Sequence, residues 1–386
     1  MKKVSKNFCL LFIYCCFCLQ NTFAQVIPFT SELWEMNGNV KTIEDFQGKP
    51  SLYLQGAAYL KDVTFQNGII EFDVNLIERR AFAGVIFRIR EGGNYEEIYL
   101  RPHQSGKPDA MQYTPVINGM SGWQLYHDQG KPGSTNLNDW KMESVGGFNT
   151  PYVFPFEQWM HFKLVVAGTE AELYLNNEKE PILHINELKH GLTAGSIGIQ
   201  SGTSPMRFAN FSYTKTDNIT LMKTAPKPAN TDPNLITKWM ISDAFGEKEL
   251  ENMTELAATF LKNRKWEALN TERSGLGNIS TLRTQTNENN TILAKIEINS
   301  TKDQLKKLDL GYSDRARVYC NGTIIYSGNN NNQIQDYRHL GTIGFYNSIY
   351  LPLKKGKNEI LIAVSENFGG WGVQGKLENK NGITIQ

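Results

Sequence analysis

Cysteine is scarce in this chain. The 386 residues include five cysteines, and four of them, Cys9, Cys15, Cys16 and Cys18, crowd into the N-terminal stretch, which leaves Cys320 alone in the remainder. A single thiol excludes an internal disulfide framework and a cysteine-built zinc site. The fold must be held by core burial. Charge of one sign is lacking as well. The formal net charge is +1, and no Lys/Arg run is long enough for a polybasic patch, so nothing points to nucleic acid or to an anionic membrane surface.

Other absences narrow the chemistry. There is no Gly-x-Ser-x-Gly elbow, phosphate-cradling loop or dinucleotide fingerprint. No His-x-x-x-His or comparable spacing offers a transition-metal site. No cofactor is required. A structural calcium held by loop carbonyls with Asp or Asn is compatible with a β-rich fold, but the sequence does not single out its ligands. Long apolar runs are missing except one, Phe8–Leu19, preceded by Lys2, Lys3 and Lys6 and followed by Thr22-Phe23-Ala24. That order reads as a secretory signal over residues 1–24, with the mature chain starting at Gln25. The run is too short to be a good spanning helix, so no transmembrane anchor is expected. An exported chain without disulfides fits a bacterial envelope: periplasm, cell surface or medium.

What is present is strand. Short alternating runs with Gly and Asn punctuation fill residues 26–215, among them "GIIEFDVNL", "FAGVIFRIR", "YEEIYLRPH", "MHFKLVVAG", "AELYLNN" and "RFANFSY". Period-two alternation predicts antiparallel sheets with one wet face each. The segment 216–234 holds three prolines and reads as a linker. Beyond it, residues 235–386 open with a predicted helix or two across "EKELENMTELAATFLKNR", followed by more strands, with a hairpin at Asn321-Gly322. A second hairpin is predicted in "AELYLNNEKEPILHI", turning at Asn176-Asn177. The expected fold class is all-β: two β-sandwich (jelly-roll) domains, with a short helical segment at the start of the second.

The stretches "FQNGIIEFDVNL", "AGVIFRIREGGNYEEIYLRPH", "WMHFKLVVAGTEAELYLNN" and "GSIGIQSGTSPMRFANFSY" resemble, in this order, the concanavalin A-like or laminin G-like sandwich superfamily, which includes the bacterial 3-keto-disaccharide hydrolase domains. "DRARVYCNGTIIYSG" and "LKKGKNEILIAVSENFGGWGVQGKLEN" resemble galactose-binding-like jelly rolls. These resemblances imply a carbohydrate partner, an oligo- or polysaccharide, and a chain that binds or processes glycans as an accessory of glycan utilisation. They also imply an alternative, a glycoside hydrolase or lyase, with 3-keto glycosides among its candidate substrates. A structural or adhesive envelope protein is the third reading.

The acidic strand "IIEFDVNLIE" is the first place to seek catalytic acids. Glu71, Asp73 and Asn75 share one face, and Phe72, Val74 and Leu76 the other. A retaining pair of carboxyls must stand about 5–5.5 Å apart. Glu78 has the opposite parity to Glu71, so a bulge would be needed to join them, and the one-strand glucanase arrangement is not expected.

A broader constellation could line one concave sheet: Glu71, Asp73, Arg88, Glu97, Tyr99, Arg101, His103, Trp123, Tyr126 and His127. Flat aromatic faces and forked donors are what pyranose recognition needs. An ordinary wet face with cross-strand ion pairs would show the same alternation. Within this set Glu97 or Asp73 are candidate general acids or bases, with His103 or His127 as partner. Glu71, Arg88, Tyr99, Arg101, Trp123 and Tyr126 are candidate ligand contacts. Trp371, set among glycines with Phe368, is either a sugar platform or a core residue. His161 and His184, inside strand patterns, are read as core or surface residues. The aromatic-rich segment Asp128–Gln158, including Trp140, Phe148, Tyr152 and Phe154, is expected to form an ordered flap over or beside the concave face, or to cover a sheet edge.

Overall fold

A computed structural model describes residues 25–128, 147–176, 178–228, 230–331 and 342–386. The signal-like N-terminus, the middle of the flap with Trp140, and Asn177 of the expected hairpin turn lie outside the described residues.

The first half is built from twelve strands: β1 (Trp34–Phe46), β2 (Lys49–Leu60), β3 (Gly68–Asn75), β4 (Phe82–Arg90), β5 (Asn94–Leu100), β6 (Met111–Ile117), β7 (Met120–Ser121), β8 (Asn149–Thr150), β9 (Trp159–Ala167), β10 (Glu170–Leu175), β11 (Leu183–Ile185) and β12 (Ser196–Lys215). All pair antiparallel, in the order β11-β10-β9-β3-β12-β4-β5-β6-β7, with β1-β2 joined beside β12 and β8 beside β6. β12 belongs to both layers of the sandwich. Its first part pairs β4 over Ser196–Gly202, its second pairs β3 over Arg207–Lys215, and β2 follows it across the register break between Ser201 and Met206. At the matching corner Gly38 lies opposite Gly56, and a Cβ on Gly56 would stand 2.1 Å from the Asn37 carbonyl oxygen. Only glycine permits strands to approach that closely.

The two layers, β2-β12-β3-β9-β10-β11 and β12-β4-β5-β6, press their inward side chains together. Phe72, Phe162, Phe208 and Phe211 from one meet Val85, Phe87, Ile98, Leu100 and Tyr113 from the other in a single core. Phe72 stacks on Phe162 with centroids 4.5 Å apart. The outward parity of each layer therefore points away from the other, which decides where the candidate residues lie.

The second half contributes β13 (Lys238–Ser242), β14 (Trp266–Asn270), β15 (Gly277–Asn278), β16 (Thr291–Ser300), β17 (Gln304–Ser313), β18 (Arg315–Cys320), β19 (Thr323–Asn329), β20 (Asn347–Leu353), β21 (Gly356–Ser365), β22 (Gly372–Leu377) and β23 (Ile383–Ile385). A sheet ordered β14-β13-β16-β21-β18-β19 faces another ordered β15-β22-β17-β20. Ile296, Ile362 and Val318 of the first meet Leu308, Leu351 and Val373 of the second around Trp239 and Trp371. The whole is all-β and sandwich-like. The helical expectation shrinks to a 3-10 turn, Glu247–Leu250, and a five-residue helix, Ala258–Lys262. The hairpin at Asn321-Gly322 forms, with both residues at positive φ as a two-residue turn requires. The linker segment lies along the first half: the amides of Met222 and Lys223 donate to Glu172, and that of Ala225 to Glu170.

Candidate functional site

The structure divides the expected constellation. Glu71 and Asp73 alternate with Ile70, Phe72 and Val74 on β3, and Glu97, Tyr99 and Arg101 alternate with Ile98 and Leu100 at β5. Because both inward sets enter the same core, the two outward sets occupy opposite outer faces of the sandwich. They do not share one face, as parity alone had suggested, although β3 and β5 belong to one continuous sheet that folds over at β12.

On the β3-β9 face, register places Asp73 opposite His161. His161 Nδ1 is 3.0 Å from Asp73 Oδ1, and its Nε2 is 3.4 Å from Glu71 Oε1. Lys49 Nζ donates to Asp73 Oδ2 at 2.6 Å, as does Asn210 Nδ2. Hydrogen bonds to Asp73 and then Glu71 lift the imidazole to about 9. Burial alone would raise Asp73, but the bonds from His161, Lys49 and Asn210 outweigh it and hold it at about 2. This is a locked ion network with a protonated histidine at neutral pH, so neither partner is poised to move a proton.

Three candidates are consumed by the fold. Arg88 breaks the alternation of β4 at positive φ. It is fully buried, giving Nε and Nη2 to the Gln66 carbonyl, Nη1 to Gly191 and Nη2 to Gly168. It pins three loops and presents nothing to a ligand. Tyr126 is buried, and its hydroxyl donates to Glu272 Oε1 at 2.5 Å, across to the second half. Trp371 is fully buried and donates Nε1 to the Val364 carbonyl at 3.0 Å. The neighbouring glycines make room: a Cβ on Gly375 would stand 3.0 Å from the Trp239 ring.

The β4-β5-β6 face gathers the rest. Arg101 is its centre. Its Nη1 meets Asp109 Oδ2 at 2.5 Å, and the guanidinium lies 5.6, 5.7 and 5.9 Å from the rings of Phe82, Tyr99 and Trp123. His103 sits against Phe82, with rings 5.4 Å apart. Burial, followed by the charges of Arg101 and Arg80, pushes His103 down to about 4. Burial likewise lowers His127, with Asp109 opposing and Arg101 assisting. Both imidazoles are therefore neutral at pH 7. Tyr99 Oη donates to Gln112 Oε1 at 3.0 Å, and Gln112 Nε2 reaches the Trp123 and Tyr126 carbonyls. Two strand positions from Tyr99 and four from Arg101, roughly 7 and 13 Å along β5, Glu97 is buried with Gln200 Nε2 bonded to its Oε1. Burial lifts it to about 8, against the lowering effect of that bond. It is a mostly protonated carboxyl at neutral pH.

Around Arg101 the hydrogen-bond accounting does not close. Among the described residues, Arg101 Nε, His103 Nδ1, Trp123 Nε1 and both ring nitrogens of His127 are buried without a partner. Buried polar atoms are ordinarily satisfied. A knot of neutral imidazole, guanidinium and indole nitrogens between aromatic faces suits hydroxyl or carbonyl oxygens on a flat apolar ring. Asp109 and Gln112 belong to this set, Gln200 belongs to Glu97 further along the face, and all three escaped the sequence reading. Only the outward parity of Gln200 in "SIGIQSG" hinted at its place. No group of three or more His, Cys, Asp or Glu side chains able to hold a metal occurs among the described residues.

Residues 34–214, just under half of the chain, match the family described as the 3-keto-alpha-glucoside-1,2-lyase-like domain. The first half thus resembles the sandwich family expected from its strands. No curated protein matches the chain. Similar solved structures include the carbohydrate-binding module CBM66 from Bacillus subtilis (15% identity, 47% of this chain and 96% of that one, TM-score 0.32). They also include the Bacillus licheniformis beta-glucanase (12%, 51% and 100%, 0.33). A third is a prokaryotic beta-1,3-1,4-glucanase (lichenase) derived from a mouse hindgut metagenome (10%, 50% and 98%, 0.34).

Proposed function

We propose that this chain, whose first half is similar to 3-keto-alpha-glucoside-1,2-lyase-like domains, is an exported glycan-processing protein that takes a glycoside on the outer face of β4-β5-β6. One observation carries the reading: the buried nitrogens around Arg101 that have no partner among the described residues, on the face of the domain that also holds Glu97 and three aromatic rings. The order of basic, apolar and small residues in the first 24 positions supports export. No helix among the described residues is long and apolar enough to cross a membrane.

The family description supports elimination from a 3-keto glycoside. The ketone acidifies the neighbouring C2–H. A base takes that proton, the electron pair forms the C1–C2 double bond, and the C1–O bond breaks toward the departing alcohol, which gains a proton. His103 and His127, held neutral, are the candidate bases, and the imidazolium formed can return its proton to the leaving oxygen. Arg101 Nε is the candidate donor to the ketone oxygen as charge builds there. Glu97, about 13 Å from Arg101 along the strand, stands too far to serve the same bond. It would donate to a hydroxyl further along the face. Asp73, on the opposite face, has no part in this chemistry.

The test is a glycan array and a turnover screen of residues 25–386 with 3-keto-trehalose and p-nitrophenyl 3-keto-α-glucoside. Product from the wild type, lost in His103→Gln or His127→Gln, supports the lyase reading. Binding without product leaves an accessory glycan-binding protein. Neither binding nor product sinks both and leaves the scaffold reading.

A further inference from the structure

The two halves meet along residues 118–126, with Lys189 adding an ion pair to Glu272 at 2.7 Å, and the 118–126 stretch adjoins the Arg101 cluster. Gln124 is the key of the joint. Its amide donates to the Gly369 carbonyl at 2.8 Å, its carbonyl accepts from the Ile343 amide at 2.9 Å, and its Oε1 accepts from Ser313 Oγ at 3.1 Å. Asn118 Nδ2 donates to the Ser280 carbonyl at 2.9 Å. Leu125 and Tyr126 join Leu276 and Ile343 in a small core of their own. Leu125 packs so tightly on the opposite loop that a Cβ on Gly370 would stand 2.8 Å from its Cγ. Within the second half, the Asn367 amide donates to the buried Asp314 carboxyl at 3.0 Å and steadies the loop that carries Phe368.

This clasp fixes two rings. Trp123 precedes Gln124, and Phe368 precedes Gly369, so the Gln124–Gly369 backbone bond holds both at once. Their centroids lie 6.2 Å apart with planes inclined at 49°. Trp123 also stands 5.9 Å from the Arg101 guanidinium. Phe368 is 58% exposed on a loop whose neighbours are bonded or packed, so core packing does not explain the ring. Two aromatic rings, one from each half, extend the Arg101 cluster onto the second half.

We propose that the second half completes the glycoside site: Trp123 and Phe368 form a stacking platform for a second sugar ring, joined to the one held at Arg101. This rests on the reading of the β4-β5-β6 face as a glycoside site. It makes the ligand a disaccharide or longer glycoside, and it makes the second half a wall of that site instead of an independent binding module. An exposed phenyl next to a tryptophan offers the C–H face of a pyranose what neither ring offers alone.

The test is calorimetric binding to residues 25–386, with 3-keto-trehalose as the two-ring probe and methyl 3-keto-α-glucoside as the one-ring probe. Phe368→Ala should weaken the disaccharide about tenfold and leave the methyl glycoside within about twofold, and Phe368→Tyr should restore the disaccharide. Trp123→Ala should weaken both, because that ring also flanks Arg101. Tyr350→Ala, at another exposed aromatic of the second half, should change neither. If Phe368→Ala leaves disaccharide affinity intact while Trp123→Ala lowers it, the platform is refuted and the glycoside site stands. If the wild type binds neither probe, the site reading falls and the platform with it.

Discussion

Glu97→Gln isolates the cost of keeping an acid on the β4-β5-β6 face. Glu97 is 6% exposed and has no cation within ion-pair range among the described residues. Its one resolved bond is from Gln200 Nε2. Burial lifts the carboxyl from 4.5 to about 8. The sign follows from linkage. A folded-state value above the unfolded one means that the native chain holds a proton the unfolded chain has released. The stabilisation is complete below about pH 4.5, declines as pH rises, and is gone above about pH 8. The difference in ionisation amounts to about 4–5 kcal/mol. Glutamine keeps an oxygen for Gln200 and carries no charge, so the variant should not share this loss. Urea unfolding followed by tryptophan fluorescence should find wild type and Glu97→Gln within about 1 kcal/mol near pH 5. The variant should be more stable by about 3–4 kcal/mol near pH 9. Parallel pH profiles would mean that Glu97 ionises as an ordinary surface glutamate, and the idea of a neutral carboxyl on this face would be refuted.

On the opposite face the pH dependence has the same sign but a different origin, ion pairing instead of burial. His161 is raised to about 9 by Asp73 and Glu71, so its contribution is complete below about pH 6.5 and lost as pH rises through about 9. With 40% of its side chain exposed, screening reduces it to about 1 kcal/mol. NMR titration of the imidazole should find a midpoint well above 7, and a midpoint near 6.5 would contradict the network. Arg88→Met should cost about 3 kcal/mol or more, because the Gln66, Gly168 and Gly191 carbonyls lose their donor, whereas sugar binding by the folded variant should be unchanged. Thermal unfolding and calorimetry separate the two effects. Tyr126→Phe removes the hydroxyl bonded to Glu272 and should cost about 1–2 kcal/mol, read as earlier hydrogen exchange along the joint between the halves.

Strand parity made the core legible. Phe72, Val74, Ile98 and Leu100 are buried where alternation put them, because side-chain period in a strand is fixed by backbone geometry. What parity could not convey is which layer a strand joins. β12 leaves one layer for the other between Ser201 and Met206, and this bend sends Glu71 and Glu97 to opposite outer faces. Local departures were equally hidden. Arg88 looked outward-facing until its positive φ turned it onto the loop carbonyls. The glycines around Trp371 suggested projection, but their missing side chains make space for Gln124 and Leu125 at Gly369, Gly370 and Gly372 and for the Trp239 ring at Gly375. His161 acquires its role only through the β3-β9 register, which no local pattern encodes. The Arg101 cluster was half visible: Tyr99, Arg101, His103, Trp123 and His127 were in view, whereas Asp109 and Gln112 reach it through tertiary contacts.

The most direct test sets the two faces against each other. Calorimetric titration of residues 25–386 with 3-keto-trehalose would compare Arg101→Gln, from the β4-β5-β6 face, with His161→Gln, from the β3-β9 face. Losing a charged hydrogen-bonding group at a ligand should weaken binding about 10- to 100-fold. Arg101→Gln should show that loss, and His161→Gln should stay within about twofold of the wild type. A loss in His161→Gln with Arg101→Gln unaffected would place the sugar on the other side of the sandwich and contradict the account.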